Sequence, residues 1–245
     1  MRVLLLAAGV GSRLMPFTAT TPKCLIRIND RPLLGYWLEL LFDAGVERVL
    51  INTHYLSEQV DAYVKASRWA SKIDLVFEAE LLGTGGTVLA NRDWFLGQPF
   101  VLAHADNLSD FDVAGLIAAH RTRPAGHLMT MLAFRTDDPR SCGILELDER
   151  QTVVAFHEKV DYPPGNLANG AVYVFEPEVI DMIADHGTPV VDLSTEIIPG
   201  LVGRILSVET KGYHRDIGNP EALSRARAEF GQRPCHSGAN LRQPI

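Results

Sequence analysis

Residues 2–25, RVLLLAAGVGSRLMPFTATTPKCL, decide the fold. Arg2 to Leu6 is a short apolar run with the length of a buried strand. It feeds Ala7-Ala8-Gly9-Val10-Gly11-Ser12-Arg13, then a threonine-rich stretch, then Pro22-Lys23. A strand, a glycine loop and two cations about ten residues apart suit a polyphosphate. Glycines let backbone N–H groups approach the oxygens, while Arg13 and Lys23 supply positive charge. The loop is not a dinucleotide fingerprint, because Leu14 occupies the third glycine position. Nor is it a Walker A loop, since no Gly-Lys-Ser/Thr follows.

Working outward, strands and helices alternate. Leu33, Leu34, Trp37, Leu38 and Leu41 recur at helical spacing and stop at Gly45, a C′ glycine. Residues 48–52 read as a buried strand, and Ser57 as the cap of a helix through Val60 and Val64. Residues 73–77 form a third strand, GTGG at 83–86 opens another helix, and 99–105 is a fourth strand. Such alternation predicts parallel strands with right-handed crossovers. Behind them, 129–134, 143–147 and 152–156 read as strands, the last two a hairpin around Asp148-Glu149-Arg150. Residues 169–175 form another strand, followed by a helix with Pro177 in its first turn. Asp192 caps a short helix ending near Pro199, 204–208 is a strand, and Asn219-Pro220-Glu221 starts the final helix. The sheet is therefore mixed and mainly parallel. One domain covers 1–230, and residues 231–245, without apolar periodicity, read as a flexible tail.

A chain of 245 residues, 47% hydrophobic and 22% charged, can bury a sizeable core. A net charge of −7 argues against a nucleic-acid surface, so anion binding falls to local cations: Arg13, Lys23 and Lys159. Cys24, Cys142 and Cys235 show neither paired spacing nor a ligand pattern, and Cys24 reads as a small buried side chain. No apolar stretch approaches the roughly 20 residues that span a bilayer. The run Val3–Val10 is short for a signal core and lacks a cleavage site, so the expected compartment is the cytoplasm. His54, His120, His127 and His157 are scattered, giving hydrolase or metal-ligand patterns no support.

Four further segments carry chemistry. Glu78 precedes Leu82-Gly83-Thr84-Gly85-Gly86, whose glycines either let backbone press against a flat ligand or form a tight turn capping the next helix. The strand 101–105 ends in Asp106-Asn107, where open α/β sheets place metal ligands; a solvated strand-end aspartate is the alternative. Asp110 and Asp112 read as turn and helix-cap residues. Asp216, in His214-Arg215-Asp216-Ile217-Gly218, precedes a helix start that Asn219 caps better. Gly143, Glu158, Lys159, Asn169 and Tyr173 are unremarkable singly.

Together these segments resemble the sugar-1-phosphate nucleotidyltransferases over about residues 1–229. Residues 6–25 resemble their N-terminal signature LAAGxGxRLxPxTxxxPKxL, and 82–86 their LGTxG motif. Ala105-Asp106-Asn107 is similar to a GDN element, and Asp216-Ile217-Gly218-Asn219-Pro220 to a DIGTP element. Cys142-Gly143, Glu158-Lys159-Val160 and Asn169 to Tyr173 resemble YGV, EKP and NxGxY segments; Ala105, Cys142 and Val160 depart from the usual residues. The resemblance implies a Rossmann-like (GT-A-like) three-layer α/β/α sandwich, and condensation of a nucleoside triphosphate with a sugar 1-phosphate. Leu6, Ala7, Ala8, Gly9 and Gly11 would then line the nucleotide, with Gly83, Thr84 and Gly85 at the base and Glu78 near base or ribose. Arg13 would hold the leaving phosphates and Lys23 stabilise charge at the α-phosphorus. Lys159 would meet the sugar phosphate, with Asn107, Gly143, Glu158, Asn169 and Tyr173 on the sugar side. Asp106 and Asp216 would ligate one Mg²⁺.

The GTGG form and modest length look most like short guanylyltransferases for mannose or heptose 1-phosphate. Uridylyl transfer, cytidylyl transfer and a silent nucleotide-sensing homologue are the alternatives; the last is expected to lose the lysine or the aspartates kept here. A dehydrogenase is disfavoured by Leu14 and by the lack of an acidic residue after the second strand. The expected partners are the two small substrates, with no nucleic acid and no membrane. The short tail suggests a single activity. A homo-oligomer stays open.

Overall fold

The computed structural model describes residues 1–230; the tail expected at 231–245, with Cys235, lies outside the described residues. The front half holds β1 (Arg2–Leu6), β2 (Arg27–Ile28), β3 (Arg31–Pro32), α1 (Leu33–Asp43), β4 (Arg48–Thr53), α2 (Ser57–Ala66), β5 (Ile73–Phe77) and α3 (Gly83–Ala90). Next come β6 (Phe100–His104), β7 (Asn107–Ser109), α4 (Val113–Arg121), β8 (Met129–Arg135), β9 (Gly143–Leu147) and β10 (Val153–Glu158). The chain closes with β11 (Leu167–Phe175), α5 (Glu178–Asp185), α6 (Ile198–Leu201), β12 (Ile205–Glu209), β13 (His214–Asp216) and α7 (Pro220–Phe230).

Nine strands make one sheet in the order β10-β9-β11-β6-β1-β4-β5, with β8 pairing both β11 and β12. β1 lies parallel between β4 and β6, Leu4 opposite Leu50 and Leu102. β11 returns antiparallel to β6, and β9–β10 is the expected hairpin, so the sheet is mixed. Period-two alternation in β1 separates two cores. Val3 and Leu5 pack on Leu34, Trp37 and Leu38 of α1, Val60 of α2 and Leu116 of α4. Leu4 faces Val88 of α3 and Val179 and Ile183 of α5. Helices cover both faces, giving the three-layer sandwich. No helix among the described residues is long and apolar enough to cross a membrane.

Two local features differ from the sequence reading. Ser57 is the first helical residue of α2, not its cap: the chain enters through Leu56 at φ 52°, and no side chain caps the end. Pro177 likewise sits just before α5. By contrast, Asp112 accepts from the Gly115 amide at 2.8 Å, Asn219 from the Ala222 amide at 2.8 Å and Asp192 from the Thr195 amide at 2.9 Å, so all three cap as read. A third core joins Leu14, Ile26 and Ile28 to Leu108, Tyr213 and Ile217 and to Leu223 and Ala226 of α7. It fastens the signature segment to the stretches beside Asp106 and Asp216.

Candidate active site

The glycine loop leaves β1 at the C-terminal edge of the sheet, where open α/β folds collect their ligands. Gly11 sits in the left-handed region at φ 69°, and a Cβ there would lie 2.9 Å from Thr18 Cγ2 and 3.2 Å from Lys23 Cβ. Only glycine lets the loop fold round Thr18, whose hydroxyl donates to the Gly11 carbonyl at 2.9 Å. Gly9, in contrast, faces open space. An open cleft is lined by Gly9, Gly11, Ser12, Arg13, Lys23, Asp106 and Gly218. Arg13 is exposed there.

Lys23 is buried, yet its Nζ reaches Asp106 Oδ2 at 2.6 Å and Asp216 Oδ1 at 3.4 Å. Burial opposes its charge most strongly, but the two carboxylates outweigh it and hold the lysine pKa above its ordinary value. Burial likewise works against the Asp106 carboxylate, but the Lys23 ammonium, together with His104 and hydrogen bonding, outweighs it and draws its pKa below the usual range. The carboxylates meet because β7 and β13 form an antiparallel ribbon with Asp216 opposite Asn107, closed by the Ile217 amide donating to the Asp106 carbonyl at 3.1 Å. Three-residue strands are too short to show periodicity, so no sequence signal announced this ribbon. Cys24, beside Lys23, has its thiol pushed up to about 12 by burial and stays protonated, as a packing residue would.

The two carboxylates converge closely enough to share one ammonium, so an oxygen-only pair is present that suits a hard divalent cation. No cluster of three or more His, Cys, Asp or Glu positioned to hold a metal occurs among the described residues.

Elsewhere several residues singled out in the sequence have other tasks. The Ala7 amide donates to Asn52 Oδ1 at 2.7 Å and is not free for a phosphate. Glu78 is buried beneath the first turn of α3, its Oε1 accepting from Asn52 at 3.0 Å and the Thr87 hydroxyl at 2.6 Å. What the glycines of that turn approach is the chain itself. The Gly85 and Gly86 amides both donate to the Val191 carbonyl, at 2.8 and 3.3 Å. Thr84 Oγ1 accepts from the Leu193 amide at 2.7 Å and lies 3.5 Å from Asp192 Oδ2. Asn52 is the residue sequence reading missed, its only cue being a polar residue ending an apolar run; Asp192 was read as a helix cap, but its approach to Thr84 was not.

On the sugar side, Gly143 makes room for Glu158, since a Cβ there would lie 2.5 Å from Glu158 Oε2. Lys159 pairs with Glu158 at 3.0 Å and is largely exposed. Asn107 is turned inward, donating to the Gly170 carbonyl at 3.4 Å. Tyr173 is fully buried, its hydroxyl accepting from Asn169 at 2.8 Å, so it supports Asn169 from below and presents no surface to a sugar.

Residues 2–233 match the model of the nucleotidyl transferase family, and the chain belongs to that family. It is 32% identical over 232 residues to a mannose-1-phosphate guanylyltransferase of Mycobacterium tuberculosis, covering 93% of this chain and 64% of that one. To the catalytic subunit beta of the Drosophila melanogaster mannose-1-phosphate guanylyltransferase it is 30% identical over 230 residues, covering 90% and 60%. It thus spans less than two thirds of the length of these relatives. HddC from Yersinia pseudotuberculosis, solved complexed with GMP-PN, matches with a TM-score of 0.78 at 26% identity, over 94% of this chain and 99% of that one.

Proposed function

We propose that this chain transfers a guanylyl group from GTP to a sugar 1-phosphate, mannose 1-phosphate or a heptose 1-phosphate, and releases pyrophosphate. One observation carries the reading: the Lys23 ammonium clasped by Asp106 and Asp216 beside a glycine loop that also offers Arg13. The guanylyltransferases similar in sequence and the GMP-PN complex of HddC support a guanine nucleotide.

An oxygen of the sugar phosphate attacks the α-phosphorus in line, and pyrophosphate leaves. Two anions must meet at a third, so the protein's task is alignment and charge neutralisation, with no covalent nucleophile. Arg13 takes the leaving phosphates and Lys23 the charge that builds at the α-phosphorus. Lys159 receives the sugar phosphate, while Glu158 and Asn169 hold sugar hydroxyls. Mg²⁺, held by Asp106 and Asp216, would supply further positive charge to the phosphates. Free Cys24 and Cys142 fit work in a reducing cytoplasm.

The test is pyrophosphate release from GTP, UTP, CTP, ATP and dTTP against a panel of sugar 1-phosphates. GTP with mannose or heptose 1-phosphate is expected to be fastest. A clear preference for another nucleotide overturns the guanylyl assignment, and no release from any pair overturns the transfer itself.

A further inference from the structure

Asn52, the penultimate residue of β4, lies beside the loop that leaves β1 and is 3% exposed. Its Oδ1 accepts from the Ala7 amide at 2.7 Å, and its Nδ2 donates to Glu78 Oε1 at 3.0 Å, with Thr87 Oγ1 3.3 Å away. Glu78, itself 5% exposed, accepts from the Thr87 hydroxyl at 2.6 Å and, through Oε2, from the Leu82 amide at 3.4 Å. One carboxamide therefore joins the loop after β1 to the turn that opens α3. Its two ends cannot be exchanged: the Ala7 N–H needs an acceptor and Glu78 needs a donor, and a buried polar group left unpaired is costly.

We infer that Asn52 is a positioning residue: through Ala7 and Glu78 it sets the spacing between the phosphate end and the base end of the nucleotide site. The inference rests on the nucleotide-transfer reading, in which phosphates meet the β1 loop and the base meets the 78–85 segment. A ligand that spans both segments gains from a fixed spacing; a fragment touching only one gains nothing.

Calorimetric titration of the full chain with GTP, with UTP and with pyrophosphate, each with Mg²⁺, tests this. Asn52→Asp keeps the acceptor for Ala7 but sets an oxygen against Glu78 Oε1. It is expected to weaken GTP binding about tenfold to a hundredfold while pyrophosphate binding changes by less than about threefold. Adding Glu78→Gln to Asn52→Asp returns a donor to the pair and is expected to recover most of the GTP affinity. Should Asn52→Asp fail to fold, Thr87→Val cuts the same link at its far end and is expected to weaken GTP binding about threefold, again sparing pyrophosphate. Equal loss for both ligands, unchanged GTP affinity, or no recovery in the double variant overturns the inference. If the unaltered chain binds neither GTP nor UTP, the nucleotide reading fails, and the positioning role fails with it.

Discussion

Two glycine-rich stretches follow strands of the same sheet, one at residues 9–13 just after β1 and one at 83–86, the first turn of α3 beyond β5. The first closes on its own threonine and lysine at Gly11 but leaves Gly9 facing open space and Arg13 exposed. The second is filled from outside. A Cβ on Gly83 would lie 2.5 Å from the Val191 carbonyl oxygen, and one on Gly86 would lie 2.3 Å from that of Pro189. Glycine reports that something approaches the backbone, and it does not say what. At the first, Gly9 meets only open space; at the second, Pro189 and Val191 pack against one side of the glycines.

The largest expected effect breaks the open turn. Lys23→Ala should retain the fold by circular dichroism but lower turnover by about 10²–10³, as removal of other fixed electrostatic groups does. Near-normal pyrophosphate release would remove Lys23 from the chemistry. Next, alanine at the two turns should separate them. Gly86→Ala, in the filled turn, is expected to cost about 1–3 kcal/mol in urea denaturation. Gly9→Ala, in the open one, should shift stability by less than about 0.5 kcal/mol while raising KM for the nucleotide. Equal destabilisation at both positions would erase the distinction.

A smaller effect lies away from both turns. His120 is buried against Thr130 and Glu176, and burial, aided by Arg123, lowers its pKa to about 4. Between about pH 6.5 and 4 the unfolded chain binds a proton at this position and the folded chain does not. Stability from this residue is thus present above pH 6.5 and lost as pH falls toward 4, by of order 3 kcal/mol. Thermal melts across that range should show the loss, and His120→Asn should flatten it; an unchanged slope in the variant would assign the acid sensitivity elsewhere.

Much of the fold was legible because its signals are local. The apolar runs read at 2–6, 48–52, 73–77 and 99–105 each hold a strand, the last trimmed to 100–104, and Gly45 ended α1 with φ 83°. Ser57 misled because a serine before a helical pattern cannot reveal that the preceding Leu56 adopts a left-handed turn. In the site, Arg13 and Lys23 were readable as cations beside a glycine loop. Glu78 and Asn107 were not readable as inward-facing, since a polar residue beside a strand end has the same sequence signature whether it meets a ligand or a neighbouring segment, and Tyr173 within β11 offers a ring to pack and a hydroxyl to present.

By itself, the sequence determined the alternating strands and helices, the glycine loop and the cations beside it, because each depends on side-chain periodicity and backbone freedom within a few residues. Only the tertiary structure decided that Asp106 and Asp216 share the Lys23 ammonium, and that Asn52 ties Ala7 to Glu78. Those contacts join segments distant along the chain, and their geometry is fixed by the β7–β13 ribbon and by neighbouring parallel strands that no local pattern encodes.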